Sequence, residues 1–427
     1  MKDFLGTLSR LLKELNKRHI IRSSAFVSLT KLLSSLLNLI FMVYSVNLMT
    51  RVENGSFQFY MGFIPVILAI AEFGLPTALI KFIAPRTDDK SSIGNILSSA
   101  VVLKILSLLV LVATAIITYF LLNESYLLLF LLVTGGFFIS FISFFESIFV
   151  AFREYMSLSL WTPATNFFRL AVLYGAAKYS SQPLSFLDIL AIFTFTPAFV
   201  FMLFFLIFDN SRLHWIPKPD KLVSTVKELA SFNSWAFLAT IFAIVSDRME
   251  IFFINKYHSE ETIAVYGTAL QLFSGFVIIF STMSSLIYPK MSQITDTNEF
   301  KNFIIKSVLF GAGLALLFSP GYFLAEPILN LLFGGKYSES IPVFKILYPN
   351  YLLQIVFSPL GIALFALGQP KMLAILAFLR FLFGIILDNI LIPEFAAMGA
   401  AYSFFLGQIV SWLILSGYFL AYFRKQE

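Results

Sequence analysis

DNSRLHWIPKPDKLVSTVKE (209–228) is the longest polar interruption in a chain of 427 residues. It carries Arg212, Lys218, Lys221 and Lys227, and its Pro217 and Pro219 oppose a continuous helix. About six apolar segments, each long enough to cross a membrane, lie on either side of it. The stretch therefore reads as a cytoplasmic linker, residues 209–229, joining two membrane lobes.

Composition points the same way. The chain is 59% hydrophobic and 13% charged, with a mean hydropathy of +0.86, and a polytopic helical bundle is the class that puts so much apolar surface to use. With no cysteine, disulfides, thiolate metal sites and cysteine nucleophiles are excluded. Residues 1–22 are basic and amphipathic, a cytoplasmic interfacial segment rather than a cleaved signal. Spans are predicted at 23–49, 57–80, 92–122, 126–152, 156–177 and 184–208, then at 230–255, 262–288, 307–332, 346–367, 372–392 and 396–423. Each meets the ~20 residues that a ~30 Å hydrocarbon core requires.

The predicted fold class is an all-α polytopic membrane protein of about twelve transmembrane helices. Its N-lobe is 23–208, its C-lobe 230–423, and 424–427 form a cytoplasmic tail. A faint repeat relates the lobes: Tyr60-Met61-Gly62 answers Tyr266-Gly267, and FIAPR (82–86) answers LIYPK (286–290), about 205 residues apart in both places. Six spans per lobe give a parallel repeat with a pseudo-two-fold axis along the membrane normal. Twenty Lys and Arg fall on the side shared by the two termini and the linker, against five on the other, which predicts that both termini are cytoplasmic.

Several stretches together resemble the oligosaccharide flippases that carry O-antigen and capsule units, within the MATE-like multidrug and oligosaccharidyl-lipid exporter superfamily. They are TRVENGSFQFYMGF (50–63), AEFGLPTALIKF (71–82), LFGGKYSESIPVFKIL (332–347), ALFALGQPKMLAI (363–375) and LIPEFAAMGAAYS (391–403). The first was read as an external turn; where the family shows R-x-L-G-x-x-x-Y-G, Glu53 and Asn54 stand in place of Leu-Gly. The resemblance implies a MATE-like fold and a cargo of undecaprenyl-pyrophosphate-linked oligosaccharide. It also implies a bacterial inner-membrane location, alternating access, and other polysaccharide-assembly membrane proteins as partners. The motifs have a physical reading too: Gly368-Gln369-Pro370 makes a tight reversal between antiparallel helices, and Gly399-Ala400-Ala401 permits close helix approach.

Charges at bilayer depth are costly and mark candidate sites. Lys31 lies on a polar stripe of the first span with Ser24, Ser28, Ser35, Asn38 and Ser45. Arg169 is near the middle of the fifth span, with Asn166 and Thr162 at i−3 and i−7. Together with Lys104, Arg248 and Arg380 these are the candidate cargo cations; Glu146, Asp247, Glu250 and Asp388 are the candidate acids for coupling to H+ or Na+. Asp247 and Glu250 are three residues apart and read as neighbours on one helix face. Pairing of Arg380 with Asp388, eight residues on, is the structural alternative. The embedded charges sum to +2 in the N-lobe and −1 in the C-lobe, and an anionic cargo needs such cations.

No phosphate-binding loop is present, and His19, His214 and His258 lie on separate loops, so no metal, cofactor, nucleic-acid partner or enzymatic activity is predicted. A cation-coupled drug or metabolite antiporter, which calls for an acidic first lobe, and a membrane-embedded polysaccharide polymerase or ligase, which calls for a large external loop, are the alternatives. Reporter fusions after Lys90, within 210–228 and after Arg424 are expected to read cytoplasmic, and fusions near Asn123 and Ser259 external. A cytoplasmic reading near Ser259 would contradict the two-lobe arrangement.

Overall fold

The computed structural model describes residues 20–86, 89–122, 125–152, 155–207 and 219–424. The interfacial segment before residue 20, most of the linker and the last three residues of the tail lie outside them. All regular structure among the described residues is helical. In chain order the α-helices are α1 (Ile20–Leu48), α2 (Arg51–Met61), α3 (Phe63–Glu72), α4 (Leu75–Ile83), α5 (Lys90–Leu122), α6 (Tyr126–Ala151), α7 (Tyr155–Tyr179) and α8 (Phe186–Ile207). They continue as α9 (Pro219–Ser246), α10 (Met249–Tyr257), α11 (Glu260–Gln271), α12 (Phe276–Met291), α13 (Thr297–Phe318), α14 (Ala325–Phe333), α15 (Ser340–Ala366) and α16 (Pro370–Arg424). Nine candidate spans are long and apolar enough to cross a membrane among the described residues. The last of them, Lys371–Arg424, is two helices joined at Ala396, which sits at φ 50°.

The helices form two compact units: residues 1–41 with 63–237, and 42–62 with 238–427. The first is built on buried Leu75, Leu79, Leu97, Phe144, Trp161 and Val200. The second has one core around Ile254, Tyr266, Phe273, Tyr337 and Phe344, and another around Met283, Ile287, Ile355 and Phe419. Residues 42–62 thus group with the carboxy-terminal helices rather than with the amino-terminal spans to which the sequence reading assigned them.

Side-chain chemistry explains that grouping. The stretch from Arg51 is a helix rather than the turn expected from its polarity, because Thr50 and Glu53 form a capping box: Thr50 N–H donates to Glu53 Oε2 at 2.9 Å, and Glu53 N–H to Thr50 Oγ1 at 3.2 Å. Asn54 is fully buried and donates to Thr268 Oγ1 at 3.1 Å and to the Tyr337 hydroxyl at 3.0 Å. Gln58 donates to Gln271 Oε1 at 3.1 Å, and Arg51 pairs with Glu339 at 2.6 Å. Gly334 and Gly335 take φ of 59° and 82°, a backbone open to glycine, and the turn they make aims Lys336 at the end of α1. There its ammonium donates to the carbonyls of Val46 and Met49, the orphan acceptors of a helix C-terminus. Burial pushes this ammonium down from its ordinary range and the neighbouring Tyr337 phenol up.

Two further boundaries shift for local reasons. The seventh predicted span starts at Pro219, which opens α9 as its first residue, so 219–229 are helical rather than linker. The ninth starts at Thr297, where Asp296 Oδ1 accepts from Glu299 N–H at 2.7 Å. The turn at 367–369 is as expected: Gly368 has φ 67°, and Gln369 N–H donates back to the Leu364 carbonyl at 3.0 Å.

Gly55 sets how closely α2 meets α11, since a Cβ there would stand 1.9 Å from the Glu260 carbonyl oxygen. Gly55→Val is expected to lower the melting temperature and the monodisperse yield on size exclusion, with a cost of ~1–3 kcal/mol or more for overpacking. Unchanged yield and melting would show that this approach is not needed.

Candidate functional site

Arg169 is 7% exposed on α7. Its Nε donates to the Phe193 carbonyl and its Nη1 to Asn166 Oδ1, both at 3.2 Å, and its Cζ lies 3.8 Å from the centre of the Phe193 ring. Asn166 in turn donates to Ser34 O and Oγ, both at 2.9 Å, which joins α1, α7 and α8. A guanidinium has five N–H donors; two are used here, and Nη2 bonds to no described residue. No carboxylate among the described residues pairs with it. Arg169 is therefore a buried cation held in place from one side, with donors left over and no counter-charge.

Lys104 differs. It is 2% exposed, and Nζ donates to the Ala71 carbonyl at 3.0 Å, the Ser140 carbonyl at 3.0 Å and Ser140 Oγ at 2.7 Å. All three ammonium protons are engaged by protein acceptors, and Lys104 thereby fastens α5 to α3 and α6. The acceptor at Ala71 is available because the helix breaks there. Phe73 at φ 45° and Gly74 at φ 69° separate α3 from α4, and Ser107 Oγ also donates to Ala71 O, at 3.2 Å. Glu72, omitted from the sequence count of embedded charges, lies beside Ser143 and within electrostatic range of Lys104. Including it lowers the first-lobe count from +2 to +1.

Lys31 is exposed, and Ser24 and Ser28 have side chains outside the described ones. The buried face of α1 carries Thr30, Ser34, Phe41 and Ser45, about 100° round the helix from most of the stripe read from sequence. Ser34, which the stripe omitted, makes the tie to Asn166. Glu146 accepts from Thr162 Oγ1 at 3.0 Å, a bond from α6 to α7, and lies within electrostatic range of Lys31. A cavity of about 450 Å³ between α5 and α6 is lined by apolar side chains such as Val112, Phe130 and Phe137 and presents no charge.

In the second unit Arg380 pairs with Asp247, with Nη2 2.6 Å from Oδ1. This corrects the expected pairing with Asp388. Gln408, with its amide oxygen turned to the guanidinium, accepts from Nη1 and Nη2 at 3.2 Å each, and the Phe404 ring centre lies 5.3 Å from Cζ. Arg380 is thereby occupied, while the guanidinium of Arg248, half-buried at the start of α10, hydrogen-bonds to no described residue. The neighbour expected for Glu250 also changes. The helix breaks at 247–248, and Asp388 rather than Asp247 is the carboxylate that acts most strongly on Glu250. Glu250 is 3% exposed and Asp388 fully buried. Glu250 Oε2 and both Asp388 oxygens lack hydrogen-bond partners, and Ser403 Oγ stands beside Asp388 without hydrogen-bond geometry. The Tyr266 hydroxyl, buried, unbonded and in electrostatic range of both acids, completes the cluster.

Long apolar helices with cations and acids enclosed among them define a polytopic membrane protein. The chain belongs to the polysaccharide biosynthesis protein family, whose model matches residues 20–295. It is 25% identical over 181 residues to "Probable low-salt glycan biosynthesis flippase Agl15" of Haloferax volcanii, covering 41% of this chain and 38% of that protein. It is 25% identical over 197 residues to "Putative O-antigen transporter" of Shigella flexneri, covering 45% of this chain and 46% of that one. These matches span less than half the length of either relative. Two solved folds superpose with a TM-score of 0.70 at 13% identity over 91% of this chain: lipid II flippase MurJ in an inward closed conformation (86% of that chain) and an inward-facing MATE family transporter of the MOP superfamily (95% of that chain). The MATE-like fold is thus shared.

Proposed function

We propose that the protein moves undecaprenyl-pyrophosphate-linked oligosaccharide units from the inner to the outer leaflet of a bacterial cytoplasmic membrane. Twelve spans in two lobes, with both termini cytoplasmic, would open alternately to either side. The observation that carries this reading is Arg169. A buried charge without a partner is strongly destabilising, so a guanidinium with free donors and no carboxylate calls for an anion from outside the protein. Pyrophosphate suits it, because a planar fork of N–H groups binds phosphate oxygens in pairs. The homology to proteins named for flipping glycans and transporting O-antigen supports the same cargo class.

The chain's own groups divide the work. Asn166 and the Phe193 carbonyl hold the guanidinium so that its remaining donors face away from them. Arg248 is a second cation with no protein partner among the described residues. Lys104 and Arg380 are engaged by protein acceptors and serve packing and the acid cluster. Glu250 and Asp388 cannot both stay charged and unaccompanied in a dry interior; each takes a proton, or the pair takes one sodium ion, and exchange of that cation drives the cycle.

Arg169→Ala is expected to lower complementation of a flippase-deficient strain by at least about tenfold, in line with the ~1.5–3 kcal/mol of a charged hydrogen bond, at near-normal abundance in the membrane. Arg169→Lys is expected to keep part of the activity. Full complementation by Arg169→Ala would remove this residue, and the reading built on it.

A further inference from the structure

The occupant of the Glu250–Asp388 pair needs a way in and out. Both carboxylates are sealed inside the second unit, and a cation that cannot exchange with water cannot take part in a transport cycle. The same unit holds a cavity of about 360 Å³ whose lining includes Arg380, which is within electrostatic range of Glu250. Its polar lining is Thr240 from α9, Gln354 and Ser358 from α15, Arg380 from the first half of α16, and Gln408 and Ser411 from the second half. It reaches from Phe365, beside the turn at 367–369, to Arg380. Gln354 hydrogen-bonds to no described residue, so its amide is free for water. Arg380 is the only charged residue of the lining.

Arg380 stands between this cavity and the acids. Its side chain is 12% exposed and is held by Asp247 at 2.6 Å and by the Gln408 amide oxygen at 3.2 Å. Gly384 and Asp388 follow at i+4 and i+8 on the same face of α16, which puts Asp388 about 12 Å further along the helix. Beside Gly384 lies Met249, whose methyl carbon is 2.5 Å from where a Cβ at 384 would stand. Between the arginine and the buried acids, that flank of the helix thus carries no side chain of its own, only a flexible thioether chain from α10.

We propose that this cavity is the aqueous route by which a monovalent cation, H+ or Na+, enters and leaves the Glu250–Asp388 pair, and that Arg380 is its gate. Resting on Asp247 and Gln408, the guanidinium fills the inner end and repels a second cation from the passage. Displaced from them, it opens the route. Asp247 is thus a positioning residue for the gate rather than the coupling acid. The proposal rests on the ion-coupled reading above and is independent of which cargo is carried.

The chain has no cysteine, so single cysteines can be introduced without removing native ones. Gln354→Cys and Ser411→Cys proteins in proteoliposomes are expected to react with a membrane-impermeant cationic thiosulfonate applied from the side of the 367–369 turn, and not from the other side. Leu413→Cys, 67% exposed on an apolar face, is the unreactive control. Arg380→Gln and Gln408→Leu are each expected to raise cargo-free cation flux at least several-fold over the unsubstituted protein. A pH-sensitive dye reads the H+ arm and radioactive sodium the Na+ arm. Adding Asp388→Asn is expected to abolish the leak. Gln408→Leu leaves the ion pair intact and serves if Arg380→Gln does not fold, as judged by size exclusion. Unreactive cavity cysteines, reaction from the opposite side alone, or no excess flux of either ion in a folded variant would overturn the route. Because no cargo is present, these results are separate from the Arg169 test: a leak with inactive cargo transport would sink only the cargo reading, and the converse only the gate.

Discussion

A charge kept from water has to be neutralised by something, and this chain solves that problem differently at each of its embedded ionisable groups. Lys104 has two carbonyls and a hydroxyl within 3.0 Å and the carboxylate of Glu72 within electrostatic range. Arg380 has a carboxylate and an amide oxygen. Arg169 has a carbonyl, an amide oxygen and an aromatic face, which orient it without cancelling its charge. Glu250 and Asp388 have each other's repulsion, Arg380 within electrostatic range of Glu250, and a few unbonded hydroxyls. The satisfied groups hold helices together. The unsatisfied ones are where the proposed function places an anion in the first unit and a cation in the second.

The second unit is also where polar side chains fix backbone geometry. The end of α1 and the whole of α2 are fastened to it by Asn54, Gln58, Arg51 and Lys336. At the end of the first span, a lysine placed by two left-handed glycines satisfies the last helix carbonyls. The motif LFGGKYSES, which carried part of the family resemblance, is thus a capping device for the first span. The Thr50–Glu53 box and the buried Asn54 likewise give structural work to the two residues that depart from the family pattern.

Much of this was legible in the sequence because apolar run length is a direct physical signal. Helix positions, the Gly368 reversal and the family follow from it and from the motifs. What the sequence could not supply is which polar group meets which. Arg169 and Lys104 look alike as text, one basic residue in an apolar run each. They differ in their surroundings: Lys104 takes the Ala71 carbonyl freed by the helix break at Phe73–Gly74 and has Glu72 within electrostatic range, while Arg169 rests on the Phe193 carbonyl, which Pro197 at i+4 leaves free, with no carboxylate among the described residues beside it. The Asp247–Glu250 spacing promised a helical pair, but the chain breaks at 247–248, which hands Asp247 to Arg380 and leaves Glu250 with Asp388. Arg51 to Met61 was read as a turn from its polarity; only the reciprocal cap reveals a helix. Ser34 carried a faint signal, since with Thr30 and Ser45 it marks a stripe of small polar residues at helical spacing.

The central claim is that the uncompensated guanidinium of Arg169 receives the phosphate end of a lipid-linked glycan. Native mass spectrometry of the protein, purified in mild detergent from a strain that accumulates undecaprenyl-pyrophosphate oligosaccharide, tests it most directly. The account predicts an adduct of that lipid's mass on the unsubstituted protein and its loss, at unchanged folding, in Arg169→Gln. An adduct that survives the substitution, or a protein that binds only membrane phospholipid under these conditions, would contradict it.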